Sequence, residues 1–368
     1  MNAKYYKAIV FLRECSLMKR RITLPIKLIS SGFVHSESYF PELPGKSRLR
    51  VFLELLGHIF KYGSIEWHYF SYGFDIKGLR NQSEYLDDSW FLWKSNMLNT
   101  VLPEKDKTCI LRDKQLFSDL LSAWGFDSPR IIGRLDGSAM DGSLLKRVVS
   151  TDGDYFFKPL DGQCGQGIIE VSVHEGECLV NGASAQQEEL YDRIGMLVQK
   201  GSYLIQERIR QHPVIDALYD KSINTIRLLT VFDRRNNTVV PLSAVLRVGA
   251  NGNVVDNWAA GGLAIGIDLE TGLLREWGFY KHGKGTKTKY HPNSGVPFLG
   301  VEIPFWNEVI TKAKALHHRL LPIFVIGWDI AITPDRPVFI EGNDNMEVSI
   351  NQEADKGLKN EMYSFISR

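Results

Sequence analysis

The sequence predicts an α+β fold, in which a mainly helical N-terminal region precedes a chain rich in antiparallel strands. Apolar residues recur at helical spacing through residues 1–110, with RLRVFLELLGHIFK (48–61) as an amphipathic helix. In the middle of the chain, SINTIRLLTVFD (222–233) and TVVPLSAVLRVG (238–249) predict two long strands joined by a hairpin turn at 234–237. Helices followed by such strands are typical of the α+β class.

Length and composition narrow the class of protein. A chain of 368 residues is long enough for two or three domains, and its 44% apolar and 24% charged residues are ordinary for a globular protein. The net charge of +1 argues against a nucleic-acid-binding protein. Four cysteines without paired spacing favour a reduced, cytoplasmic chain, and no apolar run reaches the ~18 residues of a membrane span.

A basic cluster near the N-terminus has two interpretations. It is either a membrane-surface contact or, more commonly, a solvated helix flank. Its members are Lys19, Arg20, Arg21 and Lys27.

The remaining elements follow from local patterns in chain order. A helix is predicted over 113–124 and a strand over 129–132. Between 140 and 210 the pattern predicts short strands and one helix, 185–194, capped by Ser184. The later elements are strands 262–268 and 273–279 joined at Gly272, a polar loop 280–300, a helix 304–320 and a C-terminal helix from about 355.

Two apolar, β-branched runs near the C-terminus, 323–332 and 338–342, flank the turn-forming residues TPDRP. This pattern predicts a β-hairpin. A hairpin that is symmetric about Asp335 places Asp329 directly opposite Glu341, and Gly327 opposite Asn343.

The polar side chains of this hairpin form a candidate metal site. Asp329 and Glu341 would lie ~5 Å apart and repel each other. Asn343 shares the face of Glu341, because side chains alternate along a strand. Oxygen ligands of this kind suit magnesium. A solvated hairpin face with incidental acids explains the same residues, so the hairpin alone leaves both interpretations open.

A glycine-rich segment, DGQCGQG (161–167), follows an apolar strand that carries Lys158. Glycines let the backbone approach a ligand closely, and successive N–H groups bind phosphate. The Walker and dinucleotide motifs are absent, so for the loop alone a Gly-rich hairpin turn is the more common explanation. A lysine on an interior strand favours an anionic partner.

Further polar positions also have two interpretations each. Lys114 opens the 113–124 helix, where its charge opposes the positive end of the helix, and taken on its own it is explained by a lysine exposed to solvent. Arg227 and Arg247 lie within strands, either as inward anion binders or as edge charges. A strand that turns polar at Gln206 and Glu207 either contacts an adenine edge or meets solvent.

In this order, these parts resemble the ATP-grasp superfamily, and more narrowly the sugar-transfer-associated ATP-grasp proteins related to α-L-glutamate ligases. The similarity extends over about 65–355, from HYFSYGFDIKGLRNQSEYLDD (68–88) to VIGWDIAITPDRPVFIEGN (325–343). Residues 1–64 match least. The resemblance implies two α+β subdomains that clasp ATP. It implies the following division: a helical region 1–110, a small lid subdomain 111–210 and a large subdomain 211–368.

The resemblance also implies roles for individual residues. Arg227, Arg247 and Lys158 would be catalytic, with the arginines on the γ-phosphate and the acyl-phosphate oxygens. Asp329, Glu341 and Asn343 would hold two magnesium ions. The ATP-binding set would be Lys114, Lys158, Gly162, Gln163, Gly165, Gln166, Gly167, Gln206, Glu207 and Ile209. Residues expected near the substrate are His212, Asn224, Thr225, Gly261 and Gly262.

The implied activity is that of an ATP-dependent ligase that joins a small-molecule carboxylate to an amine through an acylphosphate. Its pathway would be natural-product or cell-envelope polysaccharide biosynthesis. A small-molecule kinase of the grasp type and a non-catalytic ATP-binding partner of glycosyltransferases remain as alternatives. A homodimer is the default expectation for the assembly.

Overall fold

The chain folds around two antiparallel sheets with helices packed on them. The computed structural model describes residues 3–101, 107–136, 142–160, 167–198 and 201–366. Within these ranges, no helix has the combination of length and apolar character that crossing a membrane would require.

The helices are α1 (Ala3–Ser30), α2 (Arg48–Tyr62), α3 (Asp88–Asn96), α4 (Thr108–Arg112), α5 (Lys114–Ala123), α6 (Gly142–Val149), α7 (Gln187–Val198), α8 (Pro213–Asp216), α9 (Trp306–Arg319), α10 (Ser349–Ala354) and α11 (Lys359–Ile366). The strands of the smaller sheet are β1 (Ile131–Leu135), β2 (Gly153–Pro159), β3 (Ile169–His174), β4 (Glu177–Val180), β5 (Ala183–Ser184) and β6 (Tyr203–Glu207). The strands of the larger sheet are β7 (Thr225–Asp233), β8 (Thr238–Val248), β9 (Leu263–Ile267), β10 (Leu274–Tyr280), β11 (Lys287–Thr288), β12 (Val325–Ile332) and β13 (Pro337–Asn343).

The smaller sheet has six strands in the order β1-β6-β2-β3-β4-β5. One of its faces packs against α6 and α7, where Phe157 and Ile205 of the sheet share a core with Leu145 and Leu190 of the helices. Because neighbouring side chains on a strand point to opposite faces, Phe156 and Lys158 lie on the other face of β2.

The larger sheet has seven strands in the order β11-β10-β9-β8-β7-β12-β13. One face packs against α5 and α9 in a core that contains Trp328 and Leu316. A second core joins Val245 of β8 to the N-terminal region, including Leu55 of α2 and Tyr69 in the turns that follow it. The N-terminal region therefore shares this core with the larger sheet.

Most of the elements predicted from periodic patterns are confirmed. Helix α2 matches its prediction to within one residue, and the long strands β7 and β8 flank the predicted turn at 234–237. Strands β9 and β10 meet near Gly272, whose φ of 75° requires glycine or a strained residue. Helices α5 and α9 also match.

Four predictions about local structure need correction. The helix predicted over 185–194 begins at Gln187, and Ser184 lies in β5 instead of capping it. The segment 140–210 contains a second helix, α6, and the strand predicted over 129–132 is β1. The C-terminal helix predicted from 355 begins at Lys359 and is preceded by α10, because the chain turns between two short helices.

The register predicted for the β12–β13 hairpin is confirmed at Asp329 and Glu341, which lie opposite each other. The turn itself differs from the prediction. Ile332 pairs with Pro337, so the turn is one residue shorter than a hairpin symmetric about Asp335 would have. Without a compensating residue, this turn would place the two carboxylates on opposite faces of the sheet.

The compensating residue is Ile340, which forms a β-bulge between Phe339 and Glu341. Phe339 packs on Trp328 in the apolar core, with ring centroids 5.7 Å apart. Residues two apart on a regular strand share a face, but the bulge reverses this alternation. The strand therefore directs Phe339 into the core and Glu341 to the side of Asp329 on the other face.

A buried amide joins the N-terminal helices to the open end of this hairpin. The side-chain Nδ2 of Asn99 donates hydrogen bonds to the carbonyl oxygens of Val325 at 3.0 Å and Asp344 at 2.8 Å. Its Oδ1 accepts hydrogen bonds from the backbone N–H groups of Phe324 at 3.0 Å and Val325 at 3.2 Å. One side chain thereby satisfies four backbone groups where the two strands separate.

We expect Asn99→Ala to lower the free energy of unfolding by about 4 kcal/mol, because four hydrogen bonds to buried backbone groups are lost and each contributes about 1 kcal/mol net. Urea denaturation measures the change. Asn236→Ala is the matched control, because Asn236 lies in an exposed turn and, within the described part of the chain, its amide donates to a single acceptor, Asp233, at 2.7 Å. It should change stability by no more than about 0.5 kcal/mol. Equal losses of stability in the two variants would contradict a stabilising role for the Asn99 hydrogen bonds.

Candidate functional site

A cluster of charged side chains lies on one face of the larger sheet, where β8, β7, β12 and β13 run side by side. The register places Asp329 opposite both Arg227 and Glu341, and places Thr225 opposite Arg247. Both β7 and β8 are paired on each side. The interpretation of the two arginines as edge charges is therefore wrong.

The carboxylate of Asp329 is buried and is held by two guanidinium groups. Nε and Nη2 of Arg227 donate to its Oδ1 and Oδ2, at 2.5 Å and 3.1 Å, and Nη2 of Arg247 donates to Oδ2 at 3.0 Å. Burial alone would raise the pKa of this carboxyl group, but the charges of Arg227 and Arg247 outweigh it and hold the pKa well below its usual range. Asp329 therefore stays ionised at neutral pH.

Asp256 completes the surroundings of Arg247, although the sequence analysis did not single it out. The Thr225 hydroxyl donates to Asp256 and accepts hydrogen bonds from Nε and Nη2 of Arg247, at 3.0 Å and 2.6 Å. Nε of Arg247 lies 3.4 Å from Oδ2 of Asp256. Burial would lower the pKa of Arg247, but Asp256, Asp329 and Glu341 raise it. These contacts fix the orientation of a guanidinium group that remains charged.

No local pattern marked Asp256. It lies in an irregular segment, and an isolated parallel bridge between Ile223 and Val255 brings that segment beside Thr225. A contact of this kind has no periodicity in the sequence, so residue spacing could not predict it.

Glu341 is the carboxylate of the cluster that is least compensated. Burial raises its pKa, and the charge of Asp329 raises it further, although Arg227 opposes this effect. Nδ2 of Asn343 donates to Oε1 of Glu341 at 3.2 Å, which confirms that the two side chains share a face. Two adjacent carboxylates and an amide are a donor set that fits a magnesium ion.

Lys158 and Lys114 connect the smaller sheet to this cluster. Burial lowers the pKa of Lys158 to about 8; Glu341 raises it and Lys114 lowers it. Both groups are therefore close enough to Lys158 to affect its charge. Nζ of Lys158 lies 5.7 Å from the ring of Phe156, and Nζ of Lys114 donates to the carbonyl oxygen of Pro159 at 3.3 Å.

The expected adenine segment lies at the end of β6. Gln206 is buried and pairs with Phe156, so its side chain faces the same side as Lys158. The carboxylate of Glu207 lies 3.6 Å from Nη1 of Arg130, and both side chains are largely exposed. Ile209 follows the strand end.

Much of the expected phosphate loop lies outside the described residues: Gly162, Gln163, Gly165 and Gln166. Gly167 is described and has a φ of 74°, which a residue with a side chain would adopt only under strain.

Four residues expected near the substrate have clear roles in the backbone structure. Nδ1 of His212 accepts a hydrogen bond of 3.2 Å from the backbone at the start of α8. Asn224 is buried and donates to the carbonyl oxygen of Tyr219 at 2.6 Å. Gly261 has a φ of 103°, and a side chain on Gly262 would lie 2.8 Å from a backbone oxygen. Thr225, the fifth such residue, belongs to the charged cluster itself.

A family model described as sugar-transfer associated ATP-grasp matches residues 95–365, which is well over half of the chain. The match begins after the block at 68–88, so that block lies outside the matched region although it belongs to the resemblance described above. None of the curated proteins compared matches the sequence.

Several similar solved structures are ligases. The ATP-grasp ligase PsnB, complexed with a phosphomimetic variant of a minimal precursor, Mg and ADP, is 14% identical with a TM-score of 0.37, and the match covers 71% of this chain and 58% of PsnB. The L-amino acid ligase from Bacillus licheniformis is 11% identical with a TM-score of 0.38, and the match covers 68% of this chain and 44% of that ligase. The D-alanine–D-alanine ligase from Bacillus anthracis is 12% identical with a TM-score of 0.36, and the match covers 67% of this chain and 62% of that ligase. The chain thus spans less than two thirds of each of these neighbours.

Two isosteric substitutions in the cluster should change stability in opposite directions. In nucleotide-free protein with a chelator, we expect Asp329→Asn to lower the free energy of unfolding by about 3 kcal/mol, because it leaves buried arginines without their counter-charge. Glu341→Gln should raise it by about 0.5 kcal/mol, because it removes a repelling charge opposite Asp329.

Denaturant unfolding at pH 7.5 measures both effects. Asp335→Asn, in the exposed turn of the same hairpin, is the matched control and should have no effect. If both cluster variants destabilised the protein equally, the assignment of Glu341 as the uncompensated carboxylate would be wrong.

Proposed function

This chain belongs to the sugar-transfer associated ATP-grasp family, and on that premise we propose that it is an ATP-dependent ligase that joins a carboxylate to an amine. The observation that carries the proposal is the charge arrangement around Asp329. Two oriented arginines and a pair of adjacent carboxylates lie on one sheet, and Lys158 of the other sheet is close enough to Glu341 for each charge to affect the other. Phosphoryl transfer depends chiefly on positioning and charge neutralisation of this kind.

In this proposal ATP binds between the two sheets, with residues 111–210 and 211–368 as the two halves of the clasp. Lys114 and Lys158 bind its α- and β-phosphates, together with residues 162–167. The Gln206–Ile209 segment binds adenine. The face of β2 that carries Lys158 also carries Phe156, opposite Gln206, which supports a common ligand for this face.

Asp329, Glu341 and Asn343 are the residues that would hold magnesium. A divalent cation would favour the ionised form of Glu341, whose pKa burial and Asp329 raise. When bound, magnesium neutralises phosphate charge. We propose two ions, as the resemblance to the ATP-grasp superfamily implies.

Arg227 and Arg247 would bind the phosphoryl group during transfer. An oxygen of the substrate carboxylate attacks the γ-phosphorus of ATP, and the bond from that phosphorus to the oxygen bridging the β- and γ-phosphates breaks. ADP departs, and the substrate becomes an acylphosphate. The amine nitrogen then attacks the acyl carbon, phosphate leaves, and the nitrogen loses a proton to form the amide. Arg247 is suited to both steps, because Thr225, Asp256 and Asp329 fix its guanidinium group.

We further propose that the acid and the amine are intermediates of natural-product or cell-envelope polysaccharide biosynthesis. The description of the family as sugar-transfer associated supports this class of substrate.

A screen of carboxylic acids against amines, with ATP and magnesium, tests the activity. We expect ADP release that requires both an acid and an amine, and mass spectrometry should identify an amide. Glu341→Gln should lower the rate by at least about 100-fold, because removing one oriented charged group from a transition state costs about 2.7 kcal/mol or more. Glu276→Gln is the matched control and should retain full activity, because the partly exposed carboxylate of Glu276 on β10 pairs with Lys289 outside the cluster.

ADP release without an amine, together with a stable phosphorylated product, would instead indicate a kinase. ATP binding without turnover on any pair would favour the non-catalytic alternative.

The affinity for ATP should depend on the charge of Lys158. In the free protein this lysine loses its proton as pH rises through about 8. Affinity should therefore weaken above pH 8, by about tenfold when the charged hydrogen bond is lost. In Lys158→Arg the side chain stays charged throughout, so affinity should remain constant. Isothermal titration calorimetry from pH 7 to 10 distinguishes the two. Parallel curves for both proteins would show that another group titrates.

A further inference from the structure

Helix α1 has two apolar faces, and the rest of the chain covers one of them. On the inner face Leu17 and Leu28 are buried, and Nε of Arg21 donates to the carbonyl oxygen of Phe60 on α2 at 2.7 Å. Arg13 lies over the ring of Trp93, 4.1 Å from its centroid. The helix is therefore attached to the body of the protein between Arg13 and Leu28.

The outer face of α1 is also apolar. Its six large side chains are each more than half exposed: Phe11, Leu12, Met18, Ile22, Ile26 and Ile29. Their spacing places them on the side of the helix away from Leu17 and Leu28, because each residue advances about 100° around the axis. We call these six residues the outer face. An apolar surface of this size marks an interaction site in most proteins.

The charge of α1 indicates what covers the outer face. Its sequence contains one acidic residue, Glu14, and seven basic residues, whereas the whole chain has a net charge of only +1. The remainder of the chain is therefore net negative, and the positive charge is concentrated on this helix. The basic residues are Lys4, Lys7, Arg13, Lys19, Arg20, Arg21 and Lys27.

We propose that the outer face of α1 docks on a membrane surface that contains anionic lipid. The helix would lie in the plane of the surface, with its apolar side chains at the boundary between headgroups and acyl chains. Exposed Lys19 and Arg20 would contact lipid phosphates. Basic helices with an apolar face bind membranes in this way. A second copy of the chain fits less well, because face-to-face packing would bring two strongly basic helices together.

This inference goes beyond the proposed ligase reaction and is independent of it. Sedimentation of the full chain with lipid vesicles tests it, using vesicles of phosphatidylcholine alone and of phosphatidylcholine with phosphatidylglycerol. We expect binding to the anionic vesicles that weakens at high salt, because salt screens the attraction to the headgroups.

Paired substitutions separate the apolar and the basic contributions. Ile22→Glu with Ile26→Glu should weaken binding to anionic vesicles by at least about tenfold, because it places charges on the buried side of the docked helix. Lys19→Glu with Arg20→Glu should weaken it by about tenfold or more, since each basic residue near the surface contributes about 1 kcal/mol. All four of these side chains are exposed, and circular dichroism and thermal unfolding verify that the fold is kept.

Met196→Glu with Leu299→Glu is the matched control, because it places the same charge at exposed apolar positions outside α1. It should bind vesicles as the wild type does. If the wild type does not bind anionic vesicles, or if the control loses binding equally, the proposal is overturned. It is also overturned if light scattering shows a dimer that the Ile22 and Ile26 substitutions dissociate while vesicles do not bind.

Discussion

The buried contact of Asp329 with two arginines is the constraint on which the site and its sheet both depend. The three charges come from β12, β7 and β8, and each is removed from water by the fold. Such charges are tolerated in a protein only when they are paired and hydrogen-bonded. The contacts that orient the guanidinium groups therefore also fix the register of three neighbouring strands. A substitution that breaks these contacts would disturb the sheet and the site together.

The segments that precede β1 support this arrangement, and one of their residues, Asp88, lies before residue 95, where the family match begins. Asn99 holds the open end of the hairpin, and Nη2 of Arg112 contacts Asp344 at 2.6 Å, one residue beyond β13. Oδ1 of Asp88 accepts hydrogen bonds from the backbone of Val348 and Ser349, at 2.8 Å and 3.0 Å. These contacts make the helical region part of the frame that positions Glu341 and Asn343.

Periodic segments and chemically distinctive residues could be predicted from the sequence, whereas long-range and irregular features could not. The strands β7 and β8 and the pairing of Asp329 with Glu341 followed from patterns of adjacent residues. The predicted length of the β12–β13 turn was wrong, because nothing in the sequence marks Ile340 as a bulge. Asp256 was missed because its contact with Arg247 depends on a bridge between distant segments. The choice between inward and edge arginines required the strand order.

The bulge at Ile340 has a consequence for comparing this chain with its relatives. Before the bulge, the apolar core determines which side chains of β13 point to which face of the sheet. After the bulge, the charged cluster determines it, so the alternation of side chains shifts by one residue within the strand. A relative that lacks the extra residue would need a turn one residue longer to keep its two acids together. Length changes in the turn and at position 340 should therefore occur as compensating pairs. An alignment that places a single gap in the turn would shift either Phe339 or Glu341 by one residue.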